Sequence, residues 1–228
     1  MINFHPTREM LASHSSADLP VSLAVAVSAH IEMCSACKAL QNNILEQQAA
    51  DSWQLGSQQD EVNEKNNNDA MFDTMFESMF EEIVSHQPQF ESSKPIAAAQ
   101  TSVAGKTYKL PIAFRSFNQL KWAGLGAVSR ARVNNDDGKV RSNLLHIDKN
   151  GVIPQHKHKG YELTLLLDGS FEDENGVYNK GDFIWLNSEH KHTPFTKEGC
   201  LCYTVQDAPL HFICGISKVL NPLGSLIY

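Results

Sequence analysis

Three residues near the N-terminus have the side chains and the spacing of a metal site. His30 is followed by Cys34 and Cys37 in the pattern His-x3-Cys-x2-Cys. On a helix, offsets of four and seven residues bring the three side chains onto one face. Two thiolates and an imidazole suit Zn²⁺, which takes four ligands in a closed tetrahedral site. The pattern therefore predicts a structural or redox-labile zinc site rather than a catalytic one.

The fourth ligand of this site must come from another segment. His5 lies 25 residues upstream of His30 and reaches the helix if the N-terminal segment folds back; His14 is the alternative. A competing interpretation is that the cysteines and the histidine fill a helical core, because free cysteine is often buried. A Cys-x2-Cys pair preceded by a correctly spaced histidine favours the metal site.

A second group of potential ligands lies in the C-terminal half, between turn signals. It forms the run Gly151-x4-His156-Lys157-His158-x3-Glu162-x6-Gly169. On a strand, His156 and His158 face the same side, because side chains alternate with a period of two. With Glu162, they suit Zn²⁺ or another divalent transition metal, namely Mn²⁺, Fe²⁺, Ni²⁺ or Cu²⁺. The alternative is an exposed polar hairpin that binds no metal.

A later histidine must complete this second site. His192 is preferred to His190, because it stands eleven residues after Gly181 in the pattern. Cys200 and Cys202 follow and share one face of a strand. If that face points inward, the two thiols lie near the metal or respond to oxidants. The alternative is that they are small buried core residues.

The first half of the chain is predicted to be helical. Residues 17–45 have apolar residues at helical spacing, which predicts one long helix. Residues 47–68 are polar and aperiodic, which predicts a loop with a short helix near Trp53. A further helix is predicted from Asp69 to about His86, and its apolar stripe is the candidate partner-binding surface or, alternatively, part of a core: Phe72, Met75, Phe76, Met79 and Phe80.

The second half is predicted to be all-β. Residues 140–147, 163–167, 182–186 and 201–205 are short β-rich runs separated by turn signals, which indicates a barrel or a sandwich. Residues 91–106 are rich in Pro, Ser and Ala, which is typical of a linker. We therefore expect a multidomain α plus all-β chain, with a helical zinc-binding domain at 1–90, a linker at 91–106 and a metal-binding β-domain at 107–228.

Composition and charge restrict the classes of function. The chain has 228 residues, of which 42% are hydrophobic and 20% charged, as in ordinary globular proteins. No apolar run approaches a membrane span and no signal peptide is recognisable, so the expected location is the cytoplasm. Residues 1–90 hold 13 acidic and three basic residues, a balance of −10. This charge disfavours direct binding of nucleic acid and favours a basic protein partner, although it also serves solubility.

Together, the two motifs resemble those of known families. The run from Gly151 to Gly169, with Gly181, Asp182 and His192 downstream, resembles the metal motifs of the cupin superfamily, which implies a small antiparallel β-barrel. The first motif, with His5 upstream, resembles the zinc-binding anti-sigma domain of bacterial regulators. In this order they resemble the ChrR family of cytoplasmic zinc anti-sigma factors over nearly the whole chain.

This resemblance implies a function and a set of site residues. Residues 1–90 would bind an extracytoplasmic-function sigma factor as a 1:1 heterodimer, and the cupin half would be needed for its release in response to singlet oxygen or related oxidative stress. The implied site residues are the zinc ligands His5, His30, Cys34 and Cys37, the cupin ligands His156, His158, Glu162 and His192, and the signalling pair Cys200 and Cys202.

Two alternative functions follow from the same motifs. A cupin metal with open coordination positions could support a metal-dependent dioxygenase acting on a small organic substrate. The attached acidic zinc-binding half argues against such an enzyme, and we expect no catalytic residues. Direct nucleic-acid binding through the zinc motif is the other alternative, and the charge of −10 argues against it.

Overall fold

The computed structural model describes residues 2–63, 69–85, 99–117 and 120–213, without the side chains of residues 55–63 and 69–73. The chain divides into two compact units. One comprises Met1–Ile44 together with Ala98–Tyr228, and the other comprises Leu45–Ala97. The first unit contains all the residues that the two metal motifs singled out.

Helices occupy the N-terminal part of the described chain. They are α1 (Arg8–Ser15), α2 (Val21–Met33), α3 (Ser35–Asn63) and α4 (Asp69–Ser85). Among the described residues no single helix has the length and apolar character of a membrane span. The consecutive helices Val21–Met33 and Ser35–Gln54 have this length and apolar character only when they are taken together as a bent pair.

The single long helix predicted for residues 17–45 is wrong. Cys34 is extended, with φ −117° and ψ 105°, and separates α2 from α3. The two helices meet at an angle of 116°. Neither Gly nor Pro marks this break, which lies inside the His30, Cys34, Cys37 motif. The loop predicted for residues 47–68 is also wrong as far as Asn63, because α3 continues through a segment rich in the helix formers Ala, Gln and Glu.

The N-terminus of α2 is capped by a residue that is distant in the sequence. Pro20 precedes the helix and offers no side-chain hydrogen bond to it. Instead, the backbone N–H groups of Val21 and Ser22 donate to the two carboxylate oxygens of Asp137, at 2.9 and 2.5 Å. A carboxylate at this position also complements the positive end of the helix dipole. Asp137 therefore helps to hold α2 against the β-domain.

The strands follow the helices. In the part of the chain that the structure describes they are β1 (Gln100–Val103), β2 (Lys106–Lys109), β3 (Trp122–Leu125), β4 (Val128–Val133), β5 (Arg141–Ile147), β6 (His156–His158), β7 (Glu162–Asp173), β8 (Gly176–Asn179), β9 (Phe183–Leu186), β10 (Lys191–His192), β11 (Cys200–Gln206) and β12 (Leu210–Phe212). A short 3-10 helix, Ile112–Phe114, lies between β2 and β3. The four strand-like runs that the sequence indicated correspond to β5, β7, β9 and β11.

The strands pair antiparallel in three groups. The main sheet has the order β3-β4-β5-β11-β7-β8, and β9 also pairs with β7. A small sheet has the order β10-β6-β12, and β1 forms a hairpin with β2. The small sheet places His192 opposite His156. Strand pairing thus brings together two candidate ligands that are 36 residues apart in the sequence.

Both faces of the main sheet are buried, because alternate residues of its central strands point in opposite directions. On one face, Leu201 and Tyr203 of β11 share a hydrophobic cluster with Val27 of α2. On the other face, Cys200 and Cys202 lie in a second cluster. All seven residues of β11 are buried. This strand therefore contacts both the helical layer and the interior of the β-domain.

The domain boundaries predicted from the sequence, 1–90, 91–106 and 107–228, stay a prediction. β1 begins at Gln100, inside the segment expected to be a linker. Further contacts join α2 to the β-domain. The Ile112 N–H donates to Glu32 at 2.7 Å, and the Tyr203 hydroxyl donates to the Ser22 carbonyl at 3.2 Å.

Candidate metal centres

The first motif folds into a compact group of four ligands. Potential ligand atoms of His5, His30, Cys34 and Cys37 all lie within 4.8 Å of one another. His5 Nδ1 is 3.4 Å from His30 Nε2, 3.6 Å from Cys34 Sγ and 3.4 Å from Cys37 Sγ, and His30 Nε2 is 3.3 Å from Cys37 Sγ. In a tetrahedral site with bonds of about 2.0–2.3 Å, neighbouring ligand atoms are roughly 3.3–3.8 Å apart. The four side chains therefore fit one tetrahedral metal ion.

The break in the helix contributes to this geometry. His30 lies in the last turn of α2, Cys34 forms the extended junction and Cys37 lies in the first turn of α3. The structure places His5 in the group and His14 outside it. The His14 ring contacts Ser28 at 2.8 Å and Gln41 at 3.4 Å.

The protonation states of this group couple metal binding to pH. Burial lowers the pKa of His30 to about 4, so its ring is neutral near pH 7. Burial raises the pKa of Cys37 to about 12, and the neighbouring Cys34 contributes to the same shift. A metal must therefore displace the proton of the Cys37 thiol when it binds, and its affinity falls as the pH is lowered.

A turn of the β-domain orients two of the four ligands. The Gly181 carbonyl lies 2.8 Å from His30 Nδ1, which directs Nε2 of the same ring toward the cysteines. Asp182 is fully buried, and one of its oxygens accepts hydrogen bonds from the N–H groups of Asn3 at 2.6 Å and Phe4 at 3.1 Å. These two residues directly precede His5. Such outer contacts fix the orientation of metal ligands and tune their affinity.

The same turn leaves no room for a larger residue. Gly181 has φ +95°, and a Cβ atom at this position would collide with the side chain of Ile2. Asp182 uses its second oxygen to accept a hydrogen bond from Asn179 at 2.7 Å, and Phe183 donates to the Phe4 carbonyl at 2.9 Å. Asp182 and Phe183 thus hold the N-terminal segment, and Asn179 fixes the Asp182 carboxylate. We call the residues Asn179, Gly181, Asp182 and Phe183 the ligand-supporting turn.

The second motif brings three histidines together. His192 Nε2 lies 2.9 Å from His156 Nε2 and 3.2 Å from His158 Nε2, and all three rings are buried. Each Nδ1 atom faces an oxygen: Pro154 carbonyl for His156 at 2.9 Å, Asp173 for His192 at 3.0 Å and Glu162 for His158 at 3.0 Å. With Nδ1 hydrogen-bonded outward in His156 and His192, Nε2 of these rings is available to a metal. Nδ1 of His158 lies at ion-pair distance from Glu162 without a hydrogen bond among the described residues, and its Nε2 faces the same point as the other two.

His190 lies outside this group. Its Nδ1 atom contacts Asn187 Oδ1 at 2.7 Å within a turn. The structure thus groups His192, the preferred candidate, with His156 and His158.

Glu162 lies beside the three histidines, but within the described residues it is not among the ligand atoms that converge. Its oxygens accept hydrogen bonds from Thr164 at 2.9 Å and from Gln206 at 2.5 Å. Burial by itself raises the pKa of Glu162, but the charge of His158 outweighs this effect and the pKa lies well below its ordinary value. Glu162 is therefore an ionised neighbour of the site, and its role as a ligand stays a prediction.

Cys200 and Cys202 lie on the inner side of the sheet. Their sulfur atoms are 4.0 Å apart, and each residue is only 1% exposed. The contact with Cys200, together with burial, raises the pKa of the Cys202 thiol well above its ordinary value. Cys202 also lines a cavity that His156 and His192 border. The Cys202 thiol is thus protonated in the resting protein, and the response of the pair to oxidants stays a prediction.

The candidate partner-binding residues lie on α4. Met75, Phe76, Met79 and Phe80 are 58%, 69%, 49% and 64% exposed, so these side chains form no core in the described structure. The side chain of Phe72 lies outside the described residues. Exposed apolar side chains in such number are typical of an interaction surface.

Sequence reasoning missed Asp173, which supports His192, and did not anticipate that the Gly181-Asp182 pair would contact the first ligand group. Asp173 lies 19 residues before His192, and Asn3 lies 179 residues before Asp182. Single acidic residues at such separations carry no local signal. Their roles emerge only from the pairing of strands and the return of the N-terminus to the β-domain.

Comparison with known proteins identifies similar chains. Residues 114–209 match the family described as the ChrR Cupin-like domain. The curated anti-sigma-E factor ChrR of Cereibacter sphaeroides is 25% identical over 230 residues, covering 97% of each chain. A solved structure of Rhodobacter sphaeroides SigE in complex with the anti-sigma ChrR matches with a TM-score of 0.61 and 22% identity, over 91% of this chain and 100% of that chain.

Another solved structure gives a weaker match. An acetylacetone dioxygenase from Acinetobacter johnsonii is 14% identical, with a TM-score of 0.38 over 52% of this chain and 84% of that chain. This likeness is too weak to carry a functional argument. The comparisons confirm the predicted fold class, a helical N-terminal region followed by a cupin-like β-domain, and the predicted resemblance to ChrR.

The ligand-supporting turn gives a testable prediction. Asp182→Asn should lower the affinity of the first ligand group for a divalent metal by about 10–100-fold, the usual effect of losing an outer contact. The new amide NH2 would face the Asn179 N–H, and the carboxylate that holds Asn3 and Phe4 would be lost. Competition with a coloured chelator, using the full chain, measures this affinity.

Glu198→Gln is the matched control, because Glu198 forms an exposed ion pair with Lys149 on the same domain. It should leave the metal affinity unchanged. An affinity of Asp182→Asn within twofold of the parent chain would show that the turn does not support the ligands.

Proposed function

We propose that this chain, whose likeness to ChrR extends over 97% of its residues, is a cytoplasmic anti-sigma factor. It sequesters an extracytoplasmic-function sigma factor in a 1:1 complex, lowers transcription from the promoters that this factor serves, and releases it in response to singlet oxygen or related oxidative stress. The observation that carries the proposal is the group His5, His30, Cys34 and Cys37, joined in one chain to a ChrR-like cupin domain.

The related proteins favour a regulator over an enzyme. The curated relative is named as an anti-sigma factor, and the solved relative is in complex with SigE. The dioxygenase alternative rests only on the cupin fold, which serves many unrelated functions. We therefore assign no catalytic residue.

Zinc is the proposed metal of the first ligand group. Two thiols and two imidazoles are the soft and intermediate donors that Zn²⁺ selects in closed structural sites. When bound, the ion would stabilise the junction between α2 and α3 and retain the segment that carries His5. The three histidines of the second group, with Glu162 beside them, suit Zn²⁺ or another divalent transition metal.

The exposed apolar face of α4, defined by Met75, Phe76, Met79 and Phe80, is the proposed sigma-binding surface. Glu77, Glu81 and Glu82 lie on the same helix and are exposed. An apolar surface with acidic neighbours complements a partner that has both apolar and basic side chains. Buried aromatic side chains supply most of the binding energy in such contacts.

The proposed release begins in the cupin domain. β11 places Cys200 and Cys202 on the inner side of the sheet and Tyr203 on the helical side, where its hydroxyl contacts the Ser22 carbonyl. Oxidation of a buried thiol adds polar oxygen to a packed interior, which favours a different arrangement of the strand. A stimulus can release the partner only if it changes the relative stability of the bound and released states. β11 offers a physical connection for this, because it joins the two thiols to the helical side of the sheet.

The zinc group provides the first test of the proposal. Cys34→Ser should lose the N-terminal zinc and the inhibition of the sigma factor together, because a structural zinc contributes on the order of 10 kcal/mol to folding. Zinc content is measured by mass spectrometry of the native full chain, and inhibition by transcription with purified sigma factor and core polymerase. Cys200→Ser, which removes a thiol of the β-domain, is the control and should retain both. Full inhibition by a zinc-free Cys34→Ser chain would refute the structural role.

The docking surface provides the second test. Phe80→Asp should weaken sigma-factor binding at least tenfold, because a charge would be buried without a partner in the complex. Ser78→Asp adds the same charge on another side of α4 and should change binding less than twofold. Isothermal titration with the full chain measures both affinities. Equal losses in the two variants would indicate a general charge effect, and no loss in Phe80→Asp would remove α4 from the interface.

The release step provides the third test. His156→Ala should still bind the sigma factor, but exposure to singlet oxygen should no longer release it, because the second ligand group would be incomplete. His190→Ala, at the histidine outside the group, should respond like the parent chain. Co-purification before and after illumination with a photosensitiser measures retention. Release from His156→Ala without any oxidant would mean that the cupin site contributes to the inhibitory contact itself.

A further inference from the structure

The β-domain contains a cavity to which the proposed function assigns no ligand. Its volume is about 560 Å³, within the roughly 300–1,000 Å³ typical of small-molecule sites. Residues of β3, β4, β5 and β11 form one side, and His156 and His192 border it at another. Most of the lining is apolar. A cavity of this size and character is suited to an organic molecule rather than to water alone.

The rim of the cavity is apolar as well. Leu125 and Val152 both line the cavity and are 68% and 47% exposed. Large apolar side chains at an opening cost free energy when they remain hydrated. Their position favours a ligand that has an apolar portion.

The polar residues of one wall converge on a single region. Arg130 on β4 pairs with Leu145 on β5, and Asn143 is the next inward-facing residue on β5. Diagonal neighbours of this kind lie roughly 7–8 Å apart at their Cα atoms, within reach of long side chains. Thr204 of β11 lies opposite Asn143 and also lines the cavity. The three side chains therefore offer a guanidinium, an amide and a hydroxyl to one ligand group.

Asn143 gives an independent indication that a polar ligand group belongs there. The residue is only 3% exposed, and within the described structure its buried Oδ1 atom has no hydrogen-bond partner. Buried polar atoms are nearly always bonded, so this atom signals a missing group. An amide oxygen cannot bind a carboxylate, because both only accept hydrogen bonds, but rotation of the amide by 180° would place its NH2 group at this position, where it donates to one.

The charge of this region selects an anion. Arg130 remains protonated at neutral pH and has a planar fork of donors that matches a carboxylate. Burial lowers the pKa of Arg130, and the charge of Arg132 contributes to the same shift. Both effects disfavour the guanidinium cation, which a bound anion would stabilise. Glu162, the acidic residue of the cavity wall, is on β7, separated from β4 by β5 and β11. Its carboxylate is engaged by Thr164, Gln206 and His158.

We propose that the cavity is a binding site for a small organic carboxylate with an apolar chain or ring. Arg130 and Asn143 hold the carboxylate, Thr204 contacts it from the neighbouring strand, and Leu125 and Val152 enclose the apolar end. Because Cys202 and His156 border the same cavity, the bound molecule lies beside the residues proposed to sense oxidants. The site is separate from sigma-factor binding, so its test succeeds or fails independently of the proposed function.

Binding of octanoate, 1-octanol and octylamine to the full zinc-loaded chain tests the proposal by isothermal titration. Octanoate should bind at least tenfold more tightly than 1-octanol, and octylamine should bind more weakly than either. Arg130→Gln should reduce octanoate affinity at least tenfold and leave 1-octanol affinity unchanged. Arg132→Gln removes the same charge two residues along β4, outside the cavity lining, and should retain the preference for octanoate.

Other outcomes would overturn the proposal. They are no binding of any probe, equal affinity for octanoate and 1-octanol, or an octanoate preference that survives in Arg130→Gln. Loss of octanoate binding in His156→Ala but not in Arg130→Gln would place the carboxylate on the metal instead. If circular dichroism shows that Arg130→Gln does not fold, Asn143→Asp decides, because its new charge should repel octanoate at least tenfold without weakening 1-octanol.

Discussion

The buried carboxylate of Asp182 is the contact that joins the first candidate metal centre to the β-domain. It accepts hydrogen bonds from Asn3, Phe4 and Asn179, so it joins the N-terminal segment to a strand turn 179 residues away. A buried charge is tolerated only when it is paired or hydrogen-bonded, and three N–H donors meet that need. Departure of the N-terminal segment would leave this charge without two of its donors. His5, which that segment carries, is therefore held at the metal group by the β-domain.

The main sheet connects the first candidate metal centre to the second. Its two faces are both buried, with α2 on one side and the cupin interior on the other. β11 contributes Cys202 to the interior and Tyr203 to the helical side, and a closely packed strand cannot shift on one side alone. β9 also contacts the first group of candidate ligands, because its residue Phe183 directly follows Asp182 and packs against the His30 ring, with ring centroids 5.7 Å apart. The sheet is thus a physical link between the interior of the β-domain and the group of His5, His30, Cys34 and Cys37.

The grouping of the candidate ligands was predictable from the sequence to the extent that their spacing is local. His156 and His158 follow the two-residue period of a strand, and His30, Cys34 and Cys37 lie within eight residues. The path of the backbone from His30 to Cys37 was not predictable, because neither Pro nor Gly signals the break at Cys34. The length of α3 was not predictable either, because the helix continues to Asn63 without an apolar stripe. Asp173 and Asp182 were hidden for a different reason, since their partners are distant in the sequence and a single carboxylate has no periodicity.

Hydrogen exchange at the ligand-supporting turn tests most directly whether the first metal centre and the β-domain are one cooperative unit. The account predicts that removing zinc from the full chain accelerates exchange of the Asn3, Phe4, Asn179 and Phe183 amides together, because all four donate within the same contact. Amides in the centre of β11 should remain protected. If Asn179 and Phe183 exchange at the same rate with and without zinc while Asn3 and Phe4 become exposed, the turn does not depend on the metal centre and the account is contradicted.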